Sequence, residues 1–248
     1  MRLPDHVDDH PGTEGERRGS RERRAVAPAG EVVTVAGRAV RHERADATRE
    51  AILAAAERLF AERGVYAVSN RQVSEAAGQG NNAAVGYHFG TKADLVRAIA
   101  RQHAEQVERL RKRLLSEIGD STDVRDWVAC LVRPVLEHLA ELSGPTWYAR
   151  FCAQVMTDPA LHEIMTEESL ASPALRHTLE GFNRCLPELP LEVRLERGAM
   201  ARNLILHMCA ERERALAENT ATPRSSWHDA ATGLIDGIVG LWPAPVTR

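Results

Sequence analysis

From residue 46 onward, apolar residues recur every three or four positions, and no run alternates as a half-buried strand does. The pattern predicts a first helix from Asp46 to Arg63, with Ile52, Ala56, Leu59, Phe60 and Arg63 at 3–4 spacing and Gly64 as its stop. Val65, Tyr66 and Val68 follow and are expected to plug the core beneath it. Ser69 with Gln72 forms a capping box that opens a second helix. Val73, Ala76 and Ala77 give that helix a small apolar face, and Gly78 ends it. After the turn Gln79-Gly80, Asn81 or Asn82 can cap a third short helix, AAVGYHF. Thr91 with Asp94 opens a long helix reaching about Ile118, whose inner face is Leu95, Val96, Ile99, His103, Val107, Leu110, Leu114 and Ile118. Further helices are predicted at about 122–142, 145–157, 159–170, 173–186, 190–219 and 225–241, with prolines punctuating them.

Two short helices around a glycine-containing turn are the sequence form of a helix-turn-helix. Neither short helix is stable alone, so the first helix must cover them. The chain is therefore expected to be all-α with about nine or ten helices. A three-helix head is joined by a long helix to a larger helical domain. The divisions are a disordered tail at 1–44, the head at 45–92 and the regulatory domain at 93–248. The tail is rich in Gly, Pro and charge and has no aromatic residue. Its run GERRGSRERR (residues 15–24) is either a solvated leader or a basic arm for the DNA backbone or minor groove. VVTVAGRAV at 32–40 is strand-like but has nothing nearby to pair with.

Charge changes this picture more than composition does. The net charge of −3 does not mark a nucleic-acid binder. Residues 46–92 hold 5 basic and 5 acidic side chains, so any DNA-facing positive surface must arise from placement. The absence of a long apolar run excludes a membrane span, and the N-terminus lacks a signal-peptide pattern, so a cytoplasmic protein is expected. Cys130, Cys152, Cys185 and Cys209 are widely spaced and form no metal or redox motif; buried free thiols are expected. No Glu-x-x-His pair, G-x-S-x-G, P-loop or HExxH occurs, which argues against an enzyme and against a resident metal or cofactor.

The block Ala51–Leu95 resembles the TetR family of bacterial transcriptional regulators. The matching motifs are LFAERG, Ser69, VSEAAG, AAVGYHF as recognition helix and GTKADL, and together they cover about 45 of 248 residues. Two departures stand out. Between Gly78 and Phe89 the chain holds one residue more than the family spacing, at Gln79-Gly80. Gly86 takes the place of the family tyrosine, at a propensity cost of roughly 1 kcal/mol against alanine, and Tyr87 follows it. A glycine there permits close approach to a phosphate; otherwise it is a fraying last turn.

The resemblance implies roles, and makes the larger helical domain one for ligand binding and dimerisation. Ser69, Tyr87, His88 and Lys92 lie at positions that meet the DNA backbone, and each can donate to a phosphate oxygen. Asn81, Asn82 and Ala83 stand at the exposed start of the recognition helix, where asparagine can read adenine and alanine can touch a thymine methyl. One asparagine is expected to cap and the other to read. Arg71 is either a phosphate or base contact or a solvated arginine. The resemblance also implies a homodimer on a two-fold operator. Met200, Leu204, Met208, Leu234, Gly237, Ile238 and Leu241 are the candidate interface residues. A small-molecule effector is expected to bind among Trp127, His138, Trp147, Tyr148, Phe151, Met156, Met165, His177 and Phe182. The expected function is a repressor released from its operator by that effector, with a ligand-independent regulator or activator as the alternative.

Overall fold

The structure, a computed structural model, describes residues 30–81, 83–142 and 144–246, with side chains from residue 38. Ten α-helices and no strand occur among them: α1 Gly30–Arg63, α2 Asn70–Ala76, α3 Ala84–Phe89, α4 Lys92–Ile118, α5 Val124–Glu141, α6 Tyr148–Met156, α7 Pro159–Leu170, α8 Pro173–Cys185, α9 Leu191–Ala217 and α10 Trp227–Leu241. From α2 onward each helix lies where its apolar spacing and proline or glycine boundaries predicted. The first helix does not. It begins at Gly30 rather than Asp46, and takes in both the strand-like 32–40 run and the end of the expected tail. No proline falls between residues 30 and 63, and a helix already nucleated extends through valine and threonine at less than about 0.7 kcal/mol each. The basic run at 15–24 lies outside the described residues. The chain divides into units 1–42 and 43–248, and the packed core belongs to the second.

Two apolar clusters fill that unit. The first joins Ile52, Ala56, Leu59 and Phe60 of α1 to Val65, Val68, Val73, Val85 and Phe89 of the small helices and their links. Leu95, Val96 and Ile99 of α4 close it from the other side, and Phe151, Cys152 and Val155 of α6 extend it, with Phe60 and Phe151 stacked at 6.4 Å. The head is thus not sealed off at residue 92; its core runs into α6 and α7. Tyr66 is a correction. Val65 and Val68 are buried as expected, but Tyr66 is 66% exposed and its hydroxyl reaches Asp158 Oδ1 at 3.4 Å.

The second cluster is built on Trp127, Val128, Val132, Leu136, Phe182, Leu234, Ile235 and Ile238, from α5, α8 and α10. Gly181 lets α8 approach α5 closely: a Cβ there would fall 2.3 Å from the Trp127 ring. Tyr148, at the start of α6, packs against both clusters. Beside it a buried polar chain crosses the molecule. Glu57 of α1 meets His103 Nε2 of α4 at 2.8 Å, and His103 Nδ1 meets His138 Nε2 of α5 at 2.7 Å. The Tyr148 ring lies flat on His103 at 3.7 Å. Burial next to His103 pushes His138 down to about 4. Cys130, Cys152 and Cys209 are buried and Cys185 half-buried, all as free thiols. No helix among the described residues is long and apolar enough to cross a membrane.

Candidate nucleic-acid interface

The head holds its two short helices by local hydrogen bonds. Ser69 Oγ accepts from Gln72 N at 3.2 Å, and Ser69 N donates back to Gln72 Oε1 at 2.8 Å. The hydroxyl also donates to the same Gln72 oxygen at 2.9 Å, so Ser69 is a cap first. Gly78 turns the chain at φ +68°. Asn81 then feeds α3: its Oδ1 accepts from Ala83 N at 2.9 Å and its carbonyl from Ala84 N at 3.0 Å. Asn81 is therefore the capping asparagine of the pair. It acts one step ahead of Ala83, the residue at the N-cap itself, which has no side-chain cap bond. Asn82 lies outside the described residues.

On α3 the pattern splits cleanly. Ala84, Val85 and Phe89 point into the core, while Ala83, Gly86 and Tyr87 are exposed and His88 is half-buried. Tyr87 is 85% exposed, touches only the edge of His88, and its hydroxyl has no partner among the described residues. A Cβ at Gly86 would meet nothing within 4 Å, so the backbone there is open to approach. Arg49 of α1 secures the far end of α3: its Nη1 donates to the His88 carbonyl at 3.0 Å and its guanidinium lies 4.2 Å from the Phe89 ring centre. The sequence pattern did not single out Arg49. Its signal was an exposed basic residue one turn before the apolar stripe of α1, which many helices carry.

Lys92 has a different place from the one the resemblance implied. Its ammonium points inward, donating to the Val68 carbonyl at 2.6 Å and the Val65 carbonyl at 3.1 Å, and burial draws its pKa down. Two of its three protons are thus taken by the link between α1 and α2. Arg71 is tied along α2 to Glu75 at 2.7 Å, both side chains being exposed, so solvent screens the pair. Thr91 and Asp94 make the second capping box, and the two Thr91 donors hold the Asp94 carboxyl below its ordinary pKa.

A model of the bacterial TetR-family regulatory proteins matches residues 52–99, and a tetracycline-repressor-like C-terminal-domain model matches residues 129–240. The chain belongs to the TetR family. It is a TetR-family transcriptional regulator with a helix-turn-helix head. Among solved structures it resembles a TetR-family regulator from Marinobacter aquaeolei VT8, at 14% identity and a TM-score of 0.53, covering 81% of this chain and 97% of that one. Others are a TetR-family regulator from Mesorhizobium loti MAFF303099 (14% identity, TM-score 0.47, 80% and 96% covered) and LfrR from Mycobacterium smegmatis, solved in complex with proflavine (18%, 0.40, 82% and 99%). The first of these shows the shared fold. No curated protein matches the chain by sequence.

The fold brings the expected sensor residues into two groups: Trp147, Tyr148, Phe151, Met156 and Met165 lie in or against the first core with His138 beside Tyr148, and Trp127 lies beside His177 and with Phe182 in the second. Trp127 and Phe182 belong to the second core, Phe151 and Met165 to the first, and His138 is bound to His103. Trp147, Tyr148 and Met156 are half-buried. His177 is exposed and lines an open cleft of about 510 Å³ with Asp120, Ser121, Glu180 and Arg184. The expected dimer residues divide as well. Met200, Leu204 and Met208 stand exposed one turn apart on α9, at 43%, 37% and 45%, and Gly237 is open on α10. Leu234 and Ile238 are instead turned into the chain's own core, and Leu241 packs against it. The α10 stripe was wide enough to face two ways, and intrachain burial takes its most apolar members.

Proposed function

We propose that this chain is a homodimeric repressor that binds a two-fold DNA operator through α2 and α3 and is released by a small molecule bound in its C-terminal half. In this reading residues 45–92 are the DNA-binding head and 93–248 the regulatory part. The supporting observation is α3 itself: its inner face is packed, while Ala83, Gly86 and the unpartnered Tyr87 face outward together. Tyr87, His88 and the open Gly86 backbone are the phosphate contacts in this proposal, Asn82 and Ala83 the base readers, and Ser69, Asn81, Lys92 and Arg49 the residues that position them. Arg71, held to Glu75, is a candidate phosphate contact that must let go of its partner. The head has no surplus of positive charge, so affinity rests on these few donors and on doubling by the dimer. The exposed methionine and leucine row of α9 is the proposed partner face, with Gly237 allowing close approach.

Selection of bound DNA from a random pool tests the reading. A two-fold symmetric motif and an affinity falling steeply with salt are expected, with a dimer in sedimentation. Uniform binding to all sequences would sink it. One observation favours a ligand-independent regulator: Trp127, Phe151, Met165 and Phe182 fill core positions rather than line a void. Operator release by no small molecule would support that second reading.

A further inference from the structure

Between residues 46 and 92 the head carries five basic side chains, Arg49, Arg58, Arg63, Arg71 and Lys92. Lys92 is turned inward onto the Val65 and Val68 carbonyls, and Arg71 is paired with Glu75. Arg58 and Arg63 lie roughly 14 and 21 Å further along α1 than Arg49. Arg49 is bonded directly to α3, the helix whose outer face is open.

Its Nη1 donates to the His88 carbonyl at 3.0 Å, and the guanidinium carbon lies 4.2 Å from the Phe89 ring centre. That uses one of the five N–H groups of a guanidinium. The side chain is exposed and lines an open cleft of about 630 Å³ with Asp46, Glu50, His88, Phe89 and Asp94. Two more arginines line this cleft, and both are paired with acids: Arg97 with Asp94, Glu167 and Glu168, and Arg101 with Glu168. The Asp94 carboxyl is further held by Thr91. Arg49 has no ion pair with an acid among the described residues.

A guanidinium held at one face and one corner is ordered before any ligand arrives, so binding costs it little rotamer freedom. Two further donors stand beside it on α3. The half-buried His88 follows Tyr87, whose exposed ring meets the His88 ring edge-on at 5.0 Å. Donors from α1 and α3 thus meet at the C-terminal end of α3.

We propose that Arg49, beyond its support of α3, is itself a DNA contact, gripping an operator phosphate with the N–H groups that its bond to His88 leaves over. This rests on the reading that α2 and α3 bind DNA. Two oxygens of one phosphate fit the planar fork in parallel bonds. With Lys92 turned inward, α1 supplies the fixed positive charge that the start of α4 does not.

The test is the salt dependence of binding to selected operator DNA, read by fluorescence anisotropy on the full chain from about 50 to 300 mM salt. Arg49→Gln is expected to weaken binding about tenfold at the low-salt end, and to make the slope of log affinity against log salt shallower by about one for each head bound. Arg49→Lys keeps the charge without the fork, and is expected to recover most of the slope and only part of the affinity. Neutral methylphosphonates placed singly along the half-site locate the contact. At least one position is expected to weaken wild type and leave Arg49→Gln unaffected. An arginine that only props α3 would lose affinity and melting temperature together on substitution, with the slope intact. That result, or methylphosphonate costs equal in wild type and Arg49→Gln at every position, would overturn the contact and leave the head reading standing. Sequence-uniform binding by wild type would sink the head reading and the contact with it.

Discussion

The helices of the head and helix α6 secure their starts over very different distances, although α5, α7, α8 and α10 of the rear half are capped locally by Asp123, Asp158, Ser172 and Ser226. In the head, α2, α3 and α4 are each capped from within three residues, by Ser69 with Gln72, Asn81, and Thr91 with Asp94. In the rear half, α6 begins with no side-chain cap of its own. The Glu213 carboxylate, on α9, accepts from the N–H groups of Ala149 and Arg150 at 3.2 and 3.0 Å, across 64 and 63 residues. Likewise α8 is held by Glu108 of α4 as well as by its own Ser172. The starts of the head's helices are therefore set by neighbours in sequence, whereas the start of α6 is set by α9. Helix α6 carries both Phe151 against Phe60 and Tyr148 against His103, so it touches α9, the head and α4 at once.

The sharpest way to break this contrast is to remove the two kinds of cap. Glu213→Ala leaves Arg150 partly buried without its partner and uncaps α6, which costs about 3–5 kcal/mol and lowers the melting temperature by about 10 °C. Ser69→Ala removes a local cap and costs about 1 kcal/mol. Thermal melts followed by circular dichroism compare them, and equal losses would erase the distinction.

Acid should act on the rear half next. His138 sits at about 4 in the fold against about 6.5 unfolded, so the unfolded chain takes up a proton that the folded chain refuses. Its contribution is complete above pH 6.5 and drains away as pH falls toward 4, by about 3 kcal/mol in all. Urea titrations across that range should show the loss, and His138→Gln should flatten it.

Two substitutions in the head separate contact from support. Tyr87→Ala is expected to weaken operator binding about tenfold or more with an unchanged melting temperature, since the side chain is 85% exposed. Lys92→Ala is expected to weaken both, because two turn carbonyls lose their donor at about 1–3 kcal/mol. A Lys92→Ala protein as stable as wild type would restore lysine as a free phosphate donor. The smallest effect belongs to Gly86→Ala. Its methyl group meets no neighbour, so the head gains about 0.5–1 kcal/mol while operator affinity falls if the backbone there approaches a phosphate.

The same contrast explains what could be read in advance. Helix spans from α2 to α10, both capping boxes and the inner face of α4 follow from patterns within a few residues. Lys92 could not be placed so, because the carbonyls it holds lie 24 and 27 residues away. Glu213 looked like one of several charges on α9, and only the packing of α6 against α9 shows its work. Leu234 and Ile238 carry no mark that tells an intrachain from an intersubunit partner. Arg111, whose Nε donates at 3.1 Å to the Cys130 carbonyl that Pro134 leaves without a helical donor, did leave a trace: it interrupts the apolar face between Leu110 and Leu114, and the proline inside α5 announces such a carbonyl. Joining those two clues required the pairing of α4 with α5.

Gly181 has a consequence for how this chain can vary. Its missing side chain is the space that the Trp127 ring occupies, and Trp127 in turn donates its indole N–H to the Ser121 carbonyl at 2.8 Å. Even one added methyl must push the ring off that bond and part α8 from α5. In a library carrying all twenty residues at position 181, only glycine should survive selection for folded protein, unless Trp127 is allowed to shrink in the same clone. The two positions are then inherited as a pair.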